Sequence, residues 1–230
     1  MLWITPLRAL TNDIKSAMQT VCNELSIPIT IGSRTGDTPA SEKLALRKNL
    51  PEVLLTTPES LHLMLAQKDY PVLFSRLQVV VIDEWHELLG TKRGVQIELG
   101  LSRLKAIRTG KLKVWGISAT IGNLEQALHV LLGSQAKQSD AVMIKAKLKK
   151  KLIIESVIPD NIETYSWAGH IGLSLLPKVM DIVARGKTTL IFTNTRSQSE
   201  IWYQAILDKY PEYAGYIAMH HGSLDHSLRS

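Results

Sequence analysis

The chain has 230 residues, enough for one large domain or two small ones. Hydrophobic residues make up 45% and charged residues 21%, a balance that excludes a disordered chain. The net charge of +6 suits a polyanionic partner; the single cysteine, Cys22, excludes an internal disulfide and fits a reducing compartment. No apolar run approaches the roughly 20 residues that span a bilayer, and the first residues lack the layout of a signal peptide, so the cytoplasm is the expected location.

Short apolar runs alternate with amphipathic stretches along the chain. Residues 2–4 read as the end of a strand. Pro6 suits a helix start, and Leu10, Ile14, Ala17, Val21 and Leu25 follow at helical spacing on one face. Residues 27–31 are strand-like, 41–49 read as a short helix, 53–55 as a strand and 59–65 as a helix. The run from 77 to 82, LQVVVI, is what a strand buried on both faces of a parallel sheet requires. Residues 95–107 read as a helix, 113–117 as a strand, and 124–132 as a helix stopped by Gly133. Such alternation predicts βαβ units and a doubly wound α/β domain.

Residues 137–152 break the rhythm with six lysines and one aspartate. A solvated linker or charged edge is expected there, between a first domain over 1–136 and a second over 153–230. In the second, 152–158, 188–192 and 216–219 read as strands, and 171–184 and 197–207 as helices.

The sharpest local feature is Asp83-Glu84-Trp85-His86, directly after the buried strand. Paired carboxylates at the C-terminal end of a parallel strand stand where α/β folds bind ligands. An Asp there suits Mg²⁺ on nucleotide phosphates, and a neighbouring Glu suits activation of water; an ordinary acidic turn is the alternative. Ser118-Ala119-Thr120 follows the next strand, where its hydroxyls would reach His86 or cap a helix. Thr57-Pro58-Glu59-Ser60 opens a helix whose start suits either a backbone phosphate or an N-cap. Gly36-Asp37 permits a tight turn. Thr193 to Arg196 and His220 to Ser223 each follow an expected strand. His220 and His221 lack companion ligands at a metal spacing.

Taken in order, these pieces resemble the superfamily-two helicases. Pro6 to Leu10 looks like motif Ia, Thr57 to Ser60 like motif Ib, Asp83 to His86 like the Walker B box, Ser118 to Thr120 like motif III, and Leu190 to Arg196 like motif IV. DEWHELLGTKRGVQIELGLSRL (83–104), WGISATIGNLEQALHVLLG (115–133), SWAGHIGLSLL (166–176) and LIFTNTRSQSE (190–200) resemble more narrowly the Lhr-type, ligase-associated DExH-box DNA helicases. The resemblance implies a RecA-like parallel-sheet domain of the phosphate-loop NTPase type, missing its N-terminal part and followed by the start of a second RecA-like domain. It implies ATP and Mg²⁺ as cofactors, single-stranded or partly duplex DNA as partner with RNA as the alternative, and work in bacterial DNA repair alongside other repair proteins. Carried over, Asp83 binds Mg²⁺, Glu84 activates water, and His86 with Ser118 and Thr120 couples hydrolysis to grip. Arg8, Gly36, Asp37, Thr57, Glu59, Thr193, Arg196 and Ser223 become the nucleic-acid side.

The family's phosphate loop, G-x-x-x-x-G-K-[ST], is not found in these 230 residues. Gly186-Lys187-Thr188 has its tail, but Asp181 stands where the first glycine belongs. Motifs V and VI are not found either. The resemblance therefore makes the chain a fragment with no activity of its own, or a non-catalytic nucleic-acid-binding product. A first sheet without its phosphate-loop strand is expected to lose a central element.

Overall fold

The computed structural model describes residues 1–108, 110–119, 121–133, 141–146, 151–159 and 171–221. The chain divides into two compact units, 1–145 and 146–230, and the division falls within the lysine-rich stretch.

The first unit is built on five strands: β1 (Leu2–Ile4), β2 (Ile31–Arg34), β3 (Val53–Thr56), β4 (Val79–Ile82) and β5 (Lys113–Gly116). All neighbours are parallel, and the order across the sheet is β2-β3-β1-β4-β5. The five strands form one uninterrupted sheet, with β2 and β5 at its edges. β1 sits in the middle, with Trp3 opposite Leu55 on one side and Val81 on the other. Between the strands run α1 (Arg8–Glu24), α2 (Ala40–Lys48), α3 (Pro58–Leu65), α4 (Tyr70–Leu73), α5 (Trp85–Leu88), α6 (Lys92–Ala106) and then α7 (Leu124–Leu132).

Period-two alternation sorts each strand between two faces. Leu2, Ile4, Leu54, Val80 and Ile82 point to the face that carries the core. There they meet Leu46 of α2, Leu61, Met64 and Leu65 of α3, Ile97, Leu101 and Leu104 of α6, and Ala127 and Leu131 of α7. Trp3, Leu55 and Val81 point the other way. On that side α1 packs over β2 and β3, with Lys15 Nζ 3.5 Å from Ser33 Oγ. The helical stripe seen in the sequence is only half satisfied: Leu10 and Ile14 are partly buried, but Val21 is 49% and Leu25 65% exposed. Thr11 is the buried residue of α1, held by Thr5 Oγ1 at 2.8 Å.

Several helix boundaries follow from caps. Thr57, Thr91 and Asn123 accept from the backbone N–H groups of Ser60, Gly94 and Gln126 and start α3, α6 and α7. Gly133 ends α7 with φ +81°, a conformation that favours glycine. The second strand is displaced: residues 27–31 were the expected span, and the ladder begins only at Ile31, opposite Val53.

The second unit differs from expectation. Its described residues hold α8 (Ile171–Ser174), α9 (Leu176–Arg185), α10 (Arg196–Lys209) and a 3₁₀ turn at Pro211–Tyr213, and no strand. The spans 152–158, 188–192 and 216–219, expected as strands, carry no ladder. A strand exists only when a neighbour satisfies its N–H and C=O groups, and Leu190, Phe192 and Tyr216 stand 77%, 87% and 88% exposed. A small core of Leu176, Met180 and Ile206 joins α9 to α10. Among the described residues, no helix is long and apolar enough to cross a membrane.

Candidate active site and nucleic-acid surface

The chain leaves β1 towards β2 on one side and leaves β4 towards β5 on the other, so the C-terminal ends of β1 and β4 form the sheet's topological switch point, where α/β folds bind ligands. Asp83 stands at its rim. Its N–H donates to Ile4 O at 2.8 Å, continuing the β1–β4 ladder by one residue. The residue is only 8% exposed. Its Oδ1 accepts the Glu84 N–H at 3.0 Å and its Oδ2 the Trp3 indole N–H at 3.3 Å.

Glu84 turns the chain sharply. It has φ 49° and ψ 46° and precedes α5. The left-handed region costs a non-glycine residue roughly 1–2 kcal/mol, and here the flanking bonds enforce it. Asp83 N is tied to Ile4 O, Trp85 N donates to Ile117 O at 2.9 Å, and Trp85 Nε1 donates to Ala127 O at 3.1 Å. The Glu84 carboxylate is left at the surface, its side chain 41% exposed.

The same ladder brings the fifth strand's end into the site, because Ile117 N donates to Ile82 O at 2.8 Å. Ser118 then lies beside His86. His86 Nδ1 is 3.2 Å from both Ser118 Oγ and the Ala119 N. A backbone N–H only donates, so Nδ1 is the acceptor and the ring proton sits on Nε2, 3.5 Å from Glu87 Oε1. Glu84 Oε2 is 3.4 Å from the same Nδ1; with the lone pair taken by Ala119, that approach is a neighbour contact rather than an ion pair. Thr120 lies outside the described residues.

The remaining first-unit candidates line the same rim on its other half, beyond β1. Arg8 Nη1 meets Asp37 Oδ1 at 2.6 Å, both side chains well exposed. Gly36 makes room for this pair, since a methyl there would stand 2.9 Å from Arg8 Nη2. Thr57 is 4% exposed and spends its hydroxyl capping α3. Glu59 is held by Arg93, with Nε–Oε1 at 2.7 Å and Nη2–Oε2 at 3.3 Å. Partial burial pushes the Glu59 carboxyl up, but the Arg93 hydrogen bond, its own backbone N–H, the Arg93 charge and the Thr57 hydroxyl outweigh it and hold it below the ordinary carboxylate range. Arg93, Trp3 and the Ala119 N–H were not singled out from the sequence. Arg93 is 34 positions from its partner and Trp3 80 from Asp83, so only strand order and register reveal them.

In the second unit, Thr193 Oγ1 is 2.6 Å from Ser199 Oγ, Thr195 caps α10, and Arg196 is its first residue. His221 Nε2 is 3.3 Å from Glu200 Oε1. Ser223 lies outside the described residues. Among the described residues, no group of three or more His, Cys, Asp or Glu side chains is arranged to hold a metal ion by itself. Asp83 accepts one hydrogen bond on each carboxylate oxygen and keeps further lone pairs of the kind a hard cation takes.

The DEAD/DEAH box helicase model matches residues 1–127, more than half of the chain. The chain belongs to the DEAD/DEAH box helicase family. Within that family it is similar to Lhr proteins. It is 32% identical over 242 residues to the ATP-dependent helicase Lhr-Core protein 2 of Thermococcus barophilus, covering 99% of this chain and 28% of that protein. It is also 32% identical over 221 residues to the Lhr helicase/uracil glycosylase of Escherichia coli, covering 86% of this chain and 14% of that one. The solved structure of the Mycobacterium smegmatis helicase Lhr bound to ssDNA and AMP-PNP matches with a TM-score of 0.74 and 29% identity, over 99% of this chain and 31% of that chain. The chain thus spans less than a third of each of these helicases.

Proposed function

We propose that the chain is part of an ATP-driven translocase on single-stranded DNA, and that Asp83 and Glu84 carry its hydrolytic chemistry. The observation that supports this most directly is the joining of the Asp83–His86 turn to Ser118 and Ala119 at the rim of two neighbouring strands. A bound Mg²⁺–ATP would supply the cleavable phosphoanhydride and its charge neutralisation. Asp83 would hold the cation through the lone pairs that its two hydrogen bonds leave open. Glu84, exposed and aimed from a fixed backbone, orients a water and accepts its proton. His86 ties this turn to the loop after β5, so a shift in either is felt by the other.

In the first unit the nucleic-acid side takes in Arg8, Gly36, Asp37, Thr57 and Glu59; within the second, Thr193, Arg196 and Ser223 are assigned the same role. Of these, the arginines meet phosphates. Asp37 and Glu59 orient Arg8 and Arg93, and Thr57 fixes the start of α3. Such backbone contacts are blind to sequence and weaken with salt. The units 1–145 and 146–230 correspond on this reading to two RecA-like domains, and repair of DNA in the bacterial cytoplasm is the setting. The single-stranded DNA and the nucleotide of this reading are supported by the likeness to the Lhr structure bound to ssDNA and AMP-PNP.

A second reading is a binding module without catalysis, in which Arg8, paired with Asp37, and Arg93, paired with Glu59, grip a strand and nothing is hydrolysed. ATP turnover by the 230 residues with and without single-stranded DNA decides between them. No turnover is expected from this chain alone. In a longer polypeptide that joins it to a phosphate loop, strand-stimulated turnover is expected to vanish in Glu84→Gln while ATP binding persists. Full turnover in that variant would remove Glu84 from its role. Competition between DNA and RNA strands settles the substrate.

A further inference from the structure

Trp3 lies outside every motif described above, yet it touches the residue on which the proposed chemistry depends. Its indole Nε1–H donates to Asp83 Oδ2 at 3.3 Å. The sheet builds this contact in. Trp3 pairs with Val81 across the parallel β1–β4 ladder, and residues two apart on a strand share a face. Trp3, Val81 and Asp83 therefore stand on one side, and the Asp83 N–H to Ile4 O bond holds that register at the strand end. Leu2 and Ile4, on either side of Trp3, are 1% and 0% exposed in the core of the opposite face.

We infer that Trp3 is a positioning residue: its indole N–H fixes the Asp83 carboxylate in the rotamer that presents its free lone pairs to a divalent cation. The two donors divide the work. The Glu84 N–H holds Oδ1 from the backbone side and the indole holds Oδ2 from the neighbouring strand. Indole is suited to this, being a rigid donor with no acceptor that would compete for the cation. Donors behind a metal-binding carboxylate set its orientation and affinity. The inference rests on Asp83 as the cation ligand, and the test separates the two.

The probe is Mn²⁺, read in the 230-residue chain through its paramagnetic broadening of nuclear resonances. The five tryptophans give five indole N–H signals, and Trp3→Phe identifies that of Trp3. Mn²⁺ is expected to broaden the Trp3 indole before that of Trp85, which is buried against Ala127, and Asp83→Asn is expected to abolish the effect. In Trp3→Phe, broadening of the Glu84 amide is expected to need about tenfold more Mn²⁺, the lower end of what loss of such a supporting donor costs. An unchanged Mn²⁺ requirement in a folded Trp3→Phe chain overturns the positioning role and leaves Asp83 in place. Broadening that survives Asp83→Asn overturns the cation site itself, and this inference with it. If Trp3→Phe does not fold, the five wild-type indole signals decide without assignment: a set in which none moves on Asp83→Asn refutes the contact.

Discussion

His86 Nδ1 and Ser118 Oγ lie 3.2 Å apart, joining the turns that follow β4 and β5. Each turn is anchored by main-chain bonds, Asp83 to Ile4 and Trp85 to Ile117, so the side-chain link connects two fixed points. In a polypeptide that turns over ATP, His86→Ala and Ser118→Ala should not be additive. A double-mutant cycle on strand-stimulated turnover is expected to give a coupling of about 0.5–3 kcal/mol, the range for residues in contact. Additive effects would show that the link carries nothing.

The support beneath the site is apolar. Ile82, the last residue of β4, is fully buried in the main core. Ile82→Ala should lower the unfolding free energy of the first unit by about 2–5 kcal/mol, measured by urea titration. A change well under 1 kcal/mol would mean the strand end is not packed as described.

Gly94 is a tighter constraint. A methyl group there would collide with the carbonyl oxygen of Leu88, a backbone atom that cannot swing aside. Gly94 N also receives the Thr91 cap. Gly94→Ala is expected to cost about 1–3 kcal/mol despite alanine's better helix propensity. A stabilised variant in thermal melts would contradict the packing of α5 against α6.

The Glu59–Arg93 pair makes a pH prediction. The Glu59 carboxyl sits below its ordinary range when folded. A depressed pKa stabilises the fold above the unfolded value and loses that contribution as pH falls through the folded value. The pair is half exposed, so its worth is limited to roughly 0.2–1 kcal/mol. Arg93→Met should therefore lower stability slightly at neutral pH and converge with the parent protein in acid. Equal stability of the two proteins at neutral pH would refute it.

Exposed apolar surface makes a prediction about handling. Trp115 and Ile117 are 56% and 43% exposed around the edge strand β5, and Val21 and Leu25 stand out from α1. An exposed edge with apolar neighbours templates association. The isolated 230 residues are expected to self-associate increasingly as their concentration is raised, as read by light scattering. A monomer with one sharp melting transition would refute this.

What could be read in advance followed from local rules. The LQVVVI run, the alternation of the first unit and the Gly133 stop depend on nearest neighbours, and each holds in the structure. Asp83 and Glu84 were visible because a buried run ends in two carboxylates. The Trp3 and Arg93 contacts were hidden because they depend on which strands become neighbours. The stripe from Leu10 to Leu25 shows a different limit: helical spacing reports a face capable of burial, not the presence of a surface to bury it. The same holds for residues 188–192, whose β-branched and aromatic content lacks a paired neighbour among the described residues.

The sheet order has a consequence for synthesis. β1 precedes the other four strands in the chain, yet both its neighbours, β3 and β4, come roughly 50 and 80 residues later. On the ribosome, Leu2 to Ile4 gain their second neighbour only when Ile82 has emerged, some 4–16 seconds later at 5–20 residues per second. The middle strand of this sheet is thus among the last to gain both partners, and a chaperone that shields nascent apolar segments has its longest window there.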